Sequence, residues 1–290
     1  MIYNNNMNIF RTKSLTIKLA LGFLLVGILA LSFRAFLHSP ESIPTGDSAW
    51  ELTITVNISS DDKNPTIYMA VPFDSVSNRI IGQSFTHPGF DLKRVTQRKD
   101  VAAREVIAVA RGKGELSLTG EFKIHISHGK RWQKWLKGSN LMAPDDRMKF
   151  LEVPAELIID DGILRTTLKS LIKKTQSQES LIEEIFNFTH REIQSDKTVD
   201  FESVEKTLIQ KRADALGKAN AMIALCRAGN IPARLVTGVI VQEILGADVH
   251  HWVEVYMNED WVPYDPTVGH SGAVPTSYLK LKENNASLRT

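Results

Sequence analysis

The residues of this 290-residue chain that could do chemistry gather in the stretch "HHWVEVYMNEDWVPYDPT" and the segment just before it. His250 and Asp265 are of the right types for a general-base pair, in which a carboxylate orients an imidazole and supports its charge. No metal ligand set or oxyanion partner accompanies them in the sequence. His250, His251 and His270 are residue types that bind metals, but neighbours on a strand point to opposite faces, so one site cannot easily use both His250 and His251. His125 and His128 lack spaced carboxylates and read as solvated. No metal or cofactor is expected. Cys226 is the only cysteine, which excludes an intrachain disulfide and a multi-cysteine zinc site. It falls within a helical pattern and reads as a small buried hydrophobe. Trp252 and Trp261, which lie between His250 and Asp265 in sequence, read as packing aromatics that flank a cleft, or as a stacking platform for a ligand in it. "GKGELSLTG" lacks the spacing of a phosphate-binding loop and reads as a hairpin. "NIS", "NFT" and "NAS" match the glycosylation acceptor pattern, which matters only in a eukaryotic secretory host.

These residues need elements to position them. "QESLIEEIFNFTHREI" puts Leu181, Ile182, Ile185, Phe186 and Ile193 on one helical face. In "KRADALGKANAMIALCRAGNIPAR", Asp214 is the predicted N-cap, and Ala215, Ala219, Met222, Ile223 and Cys226 recur at helical spacing. Gly229-Asn230 closes that helix, with Pro232 beyond it. "ARLVTGVIVQE", "HHWVEVYMN" and "DWVPYDPT" read as three strands, the last two joined at Asn258-Glu259-Asp260. Helices on an antiparallel sheet make this half α+β. Arg234 either snorkels beside the sheet or pairs with Glu254 across strands, worth ~0.2–1 kcal/mol on an exposed face. A hydrogen bond between His250 and Asp265 in a partly buried site would contribute ~1.5–3 kcal/mol.

The N-terminal half has the other period. "WELTITVNI", "PTIYMAVPF", "SFTHPGFDLKRV", "REVIAVARG" and "GELSLTGEFKIHIS" alternate apolar and polar residues between Gly, Pro, Asn and Asp. That predicts an antiparallel β-sandwich over residues 49–137, followed by an α+β domain over 148–290. Between them, Lys130, Arg131, Lys134 and Lys137 interleave with Trp132 and Trp135. The pattern would suit a membrane surface or a single-stranded nucleic acid, but a short segment of this kind reads first as a junction that packs its tryptophans with its lysines solvated.

Residues 1–38 read as a cytoplasmic leader and transmembrane anchor, and 39–48 as a linker with two prolines and a glycine. Leu19–Phe33 is an uncharged run of fifteen residues whose flanking Lys18 and Arg34 can snorkel. Arg11, Lys13 and Lys18 precede it, so the rest of the chain is expected outside the cytoplasm. In a bacterium that means a single-pass inner-membrane protein with its bulk in the periplasm. A cleaved signal peptide, processed near Ala30 and Ser32, is the rival reading. A composition of 43% hydrophobic and 23% charged residues is globular, and a net charge of +2 gives no sign of a nucleic-acid partner.

The run "ALCRAGNIPARLVTG", followed by "HHWVEVYMNEDWVPYDPT", resembles the core of the transglutaminase-like, papain-related superfamily. The resemblance implies a triad of a cysteine at a helix start, a histidine before an aromatic-rich strand, and an aspartate in a "DPT" turn. Aligned without gaps, the histidine falls on His250 and the aspartate on Asp265, but the cysteine position falls on Ala215 and the usual glycine before it on Ala213. A methyl group cannot attack a carbonyl, so thiol catalysis is expected to be lost. Cys226, eleven residues on, lies about 16 Å further along the helix. The chain is most similar to bacterial inactive transglutaminase-like domains otherwise fused to seven transmembrane helices, a portion this sequence does not include. The resemblance implies a pseudoenzyme that binds a peptide-like ligand or a membrane-protein partner. The alternatives are a hydrolase using His250 and Asp265 without a thiol, and a structural periplasmic spacer.

Overall fold

The computed structural model describes residues 47–61, 64–75, 78–98, 102–127, 142, 147–153, 162–173, 175–242 and 246–284. The leader, the apolar run Leu19–Phe33 and the tryptophan–lysine segment lie outside them. No helix among the described residues is long and apolar enough to cross a membrane.

The N-terminal strands form where alternation puts them. They are β1 (Asp47–Asp61), β2 (Thr66–Val71), β3 (Asn78–Thr86), β4 (Phe90–Arg98), β5 (Ala102–Ala110) and β6 (Lys113–Ser127). The stretch "SFTHPGFDLKRV" divides between β3 and β4 at a turn where Gly89 has φ +79°, a left-handed conformation that suits glycine. One sheet has the order β1-β6-β3, antiparallel throughout. Leu52, Leu118, Phe122, Ile124 and Ile126 from this sheet bury themselves against Met69, Val71, Val106 and Ala108 from β2 and β5.

The C-terminal half adds α1 (Arg147–Leu151), α2 (Gly162–Ile172), α3 (Gln178–Asn187), α4 (Val204–Gln210) and α5 (Ala215–Ala228). Strands β9 (Ala233–Gln242), β10 (Gly246–Met257) and β11 (Asp260–Asp265) follow, with the short pairs β7 (Gln194–Ser195), β8 (Arg212–Ala213) and β12 (His270–Ser271). The β10–β11 hairpin turns through Asn258 and Glu259, both at positive φ (50° and 65°), which matches the right-handed twist of the strands. A last strand, β13 (Tyr278–Asn284), was not anticipated from the sequence. It pairs with β9 on one edge and with β5 at Lys282 and Glu283, so one eight-stranded sheet spans both halves of the chain. Val239, Val241, Leu279 and Leu281 therefore belong to the sandwich core.

Helix α3 buries Leu181, Ile182, Ile185 and Phe186 as its periodicity predicts. It does not run on as an α-helix to Ile193, but widens into a π-helical turn, Phe188–Glu192. There the Thr189 hydroxyl donates to the carbonyls of Ile185 and Phe186, partnering oxygens at the transition. Helix α5 opens at the predicted cap, the Asp214 carboxylate accepting from the Gly217 amide at 2.7 Å. The apolar spacing suggested one buried face, yet every residue from Gly217 to Arg227 is buried, including Lys218, Asn220 and Arg227. The helix is enclosed by other helices on one side and by β9 and β10 on the other. Cys226 lies in this core, and burial pushes its thiol up to about 12.

Gly238 on β9 fixes how the sheet carries Trp252. A Cβ at this position would fall 2.1 Å from the Leu279 carbonyl oxygen and 2.5 Å from the Trp252 ring. Since the first contact is with backbone, a side chain cannot be admitted by a rotamer change. Gly238→Ala is expected to cost about 1–3 kcal/mol as overpacking. A denaturant titration with an unchanged midpoint would contradict this close approach.

Candidate functional site

The chain brings His250 and Asp265 together. They sit on neighbouring strands, β10 and β11, with His250 Nε2 at 2.7 Å from Asp265 Oδ2. Asp265 is fully buried, and four donors converge on it. Besides His250, the Tyr278 hydroxyl donates to Oδ2 at 2.7 Å, and the amides of Thr267 and Val268 donate to Oδ1 at 2.8 and 3.1 Å. Burial is the largest single influence and would raise the carboxyl. The hydrogen bond and charge of His250, with Tyr278 and Val268, outweigh it and hold Asp265 below the ordinary aspartate value. An ionised carboxylate only accepts, so His250 Nε2 is the donor in this bond. Tyr278 is pushed up, first by burial and then by the Asp265 charge, so it stays a donor.

The adjacent histidines separate as strand alternation requires. His251 bonds Thr237 Oγ1 through Nδ1 at 3.1 Å. Burial, chiefly, lowers its pKa, and the carboxylate of Asp214 at the start of α5 opposes that shift. His270 lies edge-on to Tyr278. Its pKa too is lowered by burial.

Ala215 is the first residue of α5, half-buried, directly after the Asp214 cap. One turn further, the Lys218 ammonium is buried and donates to the His190 carbonyl and to Ser195 Oγ, both at 3.1 Å. Helix α5 packs against β10, the strand that carries His250, and the charge of Asp265 acts on Lys218. Burial nonetheless brings Lys218 down to about 8. His190, on the π-helical turn, bonds the Pro266 carbonyl through Nδ1 at 2.9 Å and so holds the loop that follows Asp265.

Of the two readings for the tryptophans, the structure gives packing. Trp252 is completely enclosed and meets Tyr278 edge-on. Trp261 is covered by Phe150, Tyr256 and the Arg234 guanidinium, which lies 4.2 Å from its ring centre. Both rings are buried.

Arg234 and Glu254 do pair across strands, but not on an exposed face. Arg234 Nη2 and Nε reach Glu254 Oε2 at 2.6 and 2.9 Å, and Nη1 reaches Glu283 at 2.8 Å. Lys280 bridges Glu254 and Glu283 to complete a buried, charge-balanced group of four. A bulge between Lys280 and Lys282 turns Glu283 to the same face as Lys280, which strict alternation would forbid.

The sequence reading missed Tyr278, Lys280 and Glu283 together with their strand, although "YLKLKE" alternates as a strand does. Lys218 carries no comparable signal, because nothing local marks a helical lysine as buried.

The sequence model of the Transglutaminase-like superfamily matches residues 165–266, from α2 to the end of the Asp265 turn. This part of the chain belongs to the transglutaminase-like superfamily. Among solved structures, a candidate cysteine protease from Cytophaga hutchinsonii superposes with a TM-score of 0.61 at 20% identity, covering 83% of each chain. That match shows the same fold, and it extends well beyond the transglutaminase-like segment. The periplasmic domain of TgpA from Pseudomonas aeruginosa matches 78% of this chain and 88% of its own, at 15% identity and a TM-score of 0.43. No curated protein matches the chain. Within the transglutaminase-like domain, α5 carries Ala215 and Lys218 while β10 and β11 carry His250 and Asp265.

Proposed function

We propose that this chain is a membrane-anchored, extracytoplasmic transglutaminase-like protein that has lost the thiol reaction and works by binding a peptide-like ligand or a membrane-protein partner. One observation carries the reading. Ala215 opens a fourteen-residue helix at the point where the helix dipole would favour a thiolate, while the histidine–aspartate pair is kept. The apolar run Leu19–Phe33, with its preceding basic residues, supports the anchor and the periplasmic side.

The test restores the thiol in the full-length chain. Ala215→Cys is expected to give a cysteine whose pKa falls below the ~8.5 of a free thiol. Iodoacetamide at pH 6 should then alkylate it at least tenfold faster than Cys226, and His250→Ala in the same background should slow it. A rate equal to that of an ordinary exposed cysteine and indifferent to His250 would remove Ala215 from the nucleophile position. Amide turnover by the unaltered chain, abolished by His250→Ala, would instead favour a hydrolase that uses the pair without a thiol.

A further inference from the structure

The first turn of α5 holds a second reactive arrangement, apart from the histidine–aspartate pair. Ser195 ends β7, which pairs in parallel with β8 so that Ser195 stands opposite Ala213, two residues before α5 begins. Ser195 is exposed, whereas Lys218 is enclosed, with only 1% of its surface accessible. Between them Lys218 Nζ lies 3.1 Å from Ser195 Oγ, and the same nitrogen is held from behind by the His190 carbonyl at 3.1 Å. The hydroxyl of an exposed residue thus rests on a buried amine whose direction is fixed by a second hydrogen bond. That is the geometry of a hydroxyl nucleophile and its general base.

We propose that Ser195 is an acylatable nucleophile with Lys218 as its general base, and that this site captures an acyl donor of the ester or thioester class. Ser195 Oγ attacks the acyl carbonyl carbon and forms the new C–O bond as its proton passes to the unprotonated Lys218 amine. Collapse of the tetrahedral adduct breaks the bond to the leaving alkoxide or thiolate, which takes that proton back from Lys218. The products are an acyl ester on Ser195 and a free alcohol or thiol, and water later releases the acyl group as the acid.

The charge that acts on Lys218 is that of Asp265 on β11, to which His250 is bonded; His190 on the π-helical turn offers its carbonyl, and the Asp196–Arg212 ion pair flanks Ser195. Burial outweighs the opposing charge of Asp265 and brings the amine to about 8, so about a tenth of it is unprotonated at pH 7. The inference does not depend on the position of Ala215, since neither Ser195 nor Lys218 belongs to the vacated thiol chemistry.

The test uses the full-length chain with p-nitrophenyl acetate and a fluorophosphonate, and locates adducts by peptide mass mapping. Ser195 is expected to be modified at least tenfold faster than the exposed Ser84, at a rate that climbs with pH to a plateau with a midpoint near 8. Ser195→Ala should abolish the adduct in a chain that still folds, with some loss of melting temperature because Lys218 gives up one of its two acceptors. Lys218→Arg, which keeps the charge and the donors but cannot act as a base, should also abolish it. If that variant does not fold, the pH profile of the unaltered chain decides. Modification of Ser195 no faster than Ser84, or a rate that rises in proportion to hydroxide with no plateau, would overturn the proposal and leave Lys218 as a structural tie between α5 and the π-helical turn.

Discussion

Glu254→Ala is expected to destabilise the chain by about 3–5 kcal/mol, far more than a surface pair would. Glu254 is buried at the centre of a group with two cations and two anions. Its removal leaves Arg234 and Lys280 with Glu283 as their remaining carboxylate and strands a net positive charge within the fold. A double-mutant cycle of Arg234 with Glu254 should show coupling of more than 1 kcal/mol, above the range for exposed cross-strand pairs. The pH dependence has a definite sign. Burial would raise the Glu254 carboxyl most strongly, but Lys280 and Arg234 together bring it below the ordinary glutamate value. Its contribution is therefore present above the pKa of the unfolded chain and is lost as pH falls through the lower, folded value. A loss below 1 kcal/mol in urea unfolding would mean that the group is solvated.

Asp265→Ala should have an effect of similar size, about 3–5 kcal/mol, because it removes the acceptor for four donors at once. The ~1.5–3 kcal/mol expected of one bond to His250 is too small for this environment, since the Tyr278 hydroxyl and two loop amides also lose their partner. Asp265→Asn keeps a carbonyl oxygen for some of those donors and should cost less. The folded pKa of Asp265 lies below its unfolded value, so its contribution is complete above the ordinary aspartate range and disappears as pH falls through the folded value. At low enough pH the melting temperatures of Asp265→Ala and the unaltered chain should therefore converge. Curves that remain equally far apart at every pH would show that packing, not charge, carries the difference.

Much of the fold was legible because burial on one side of a helix or sheet leaves a local period. The β1 alternation, the face of α3 and the Asp214 cap are each written within a dozen residues. The π-helical turn after α3 was not, because the period of "FTHRE" does not reveal that Thr189 partners carbonyls of the preceding turn. Lys218 and Arg227 were illegible as buried charges. Their burial depends on α5 being surrounded, and apart from Ser195 Oγ their partners are the carbonyls of His190, Ala233 and Glu152, which belong to the main chain and have no residue signature.

By itself the sequence determined the strand and helix periods, the hairpin that carries His250 and Asp265, the resemblance to the transglutaminase-like superfamily, and the alanine at the start of α5. These follow from residue types and short spacings, which act over one or two turns or strands. Only the tertiary structure decided that β13 enters between β9 and β5 and joins both halves in one sheet. It also decided that Tyr278 completes the Asp265 site, that Arg234 and Glu254 are buried in a group of four, and that Lys218 meets Ser195. Each of these contacts joins residues from different elements. Which side chains meet there, and how dry the meeting place is, depends on the packing of the whole chain rather than on any local pattern.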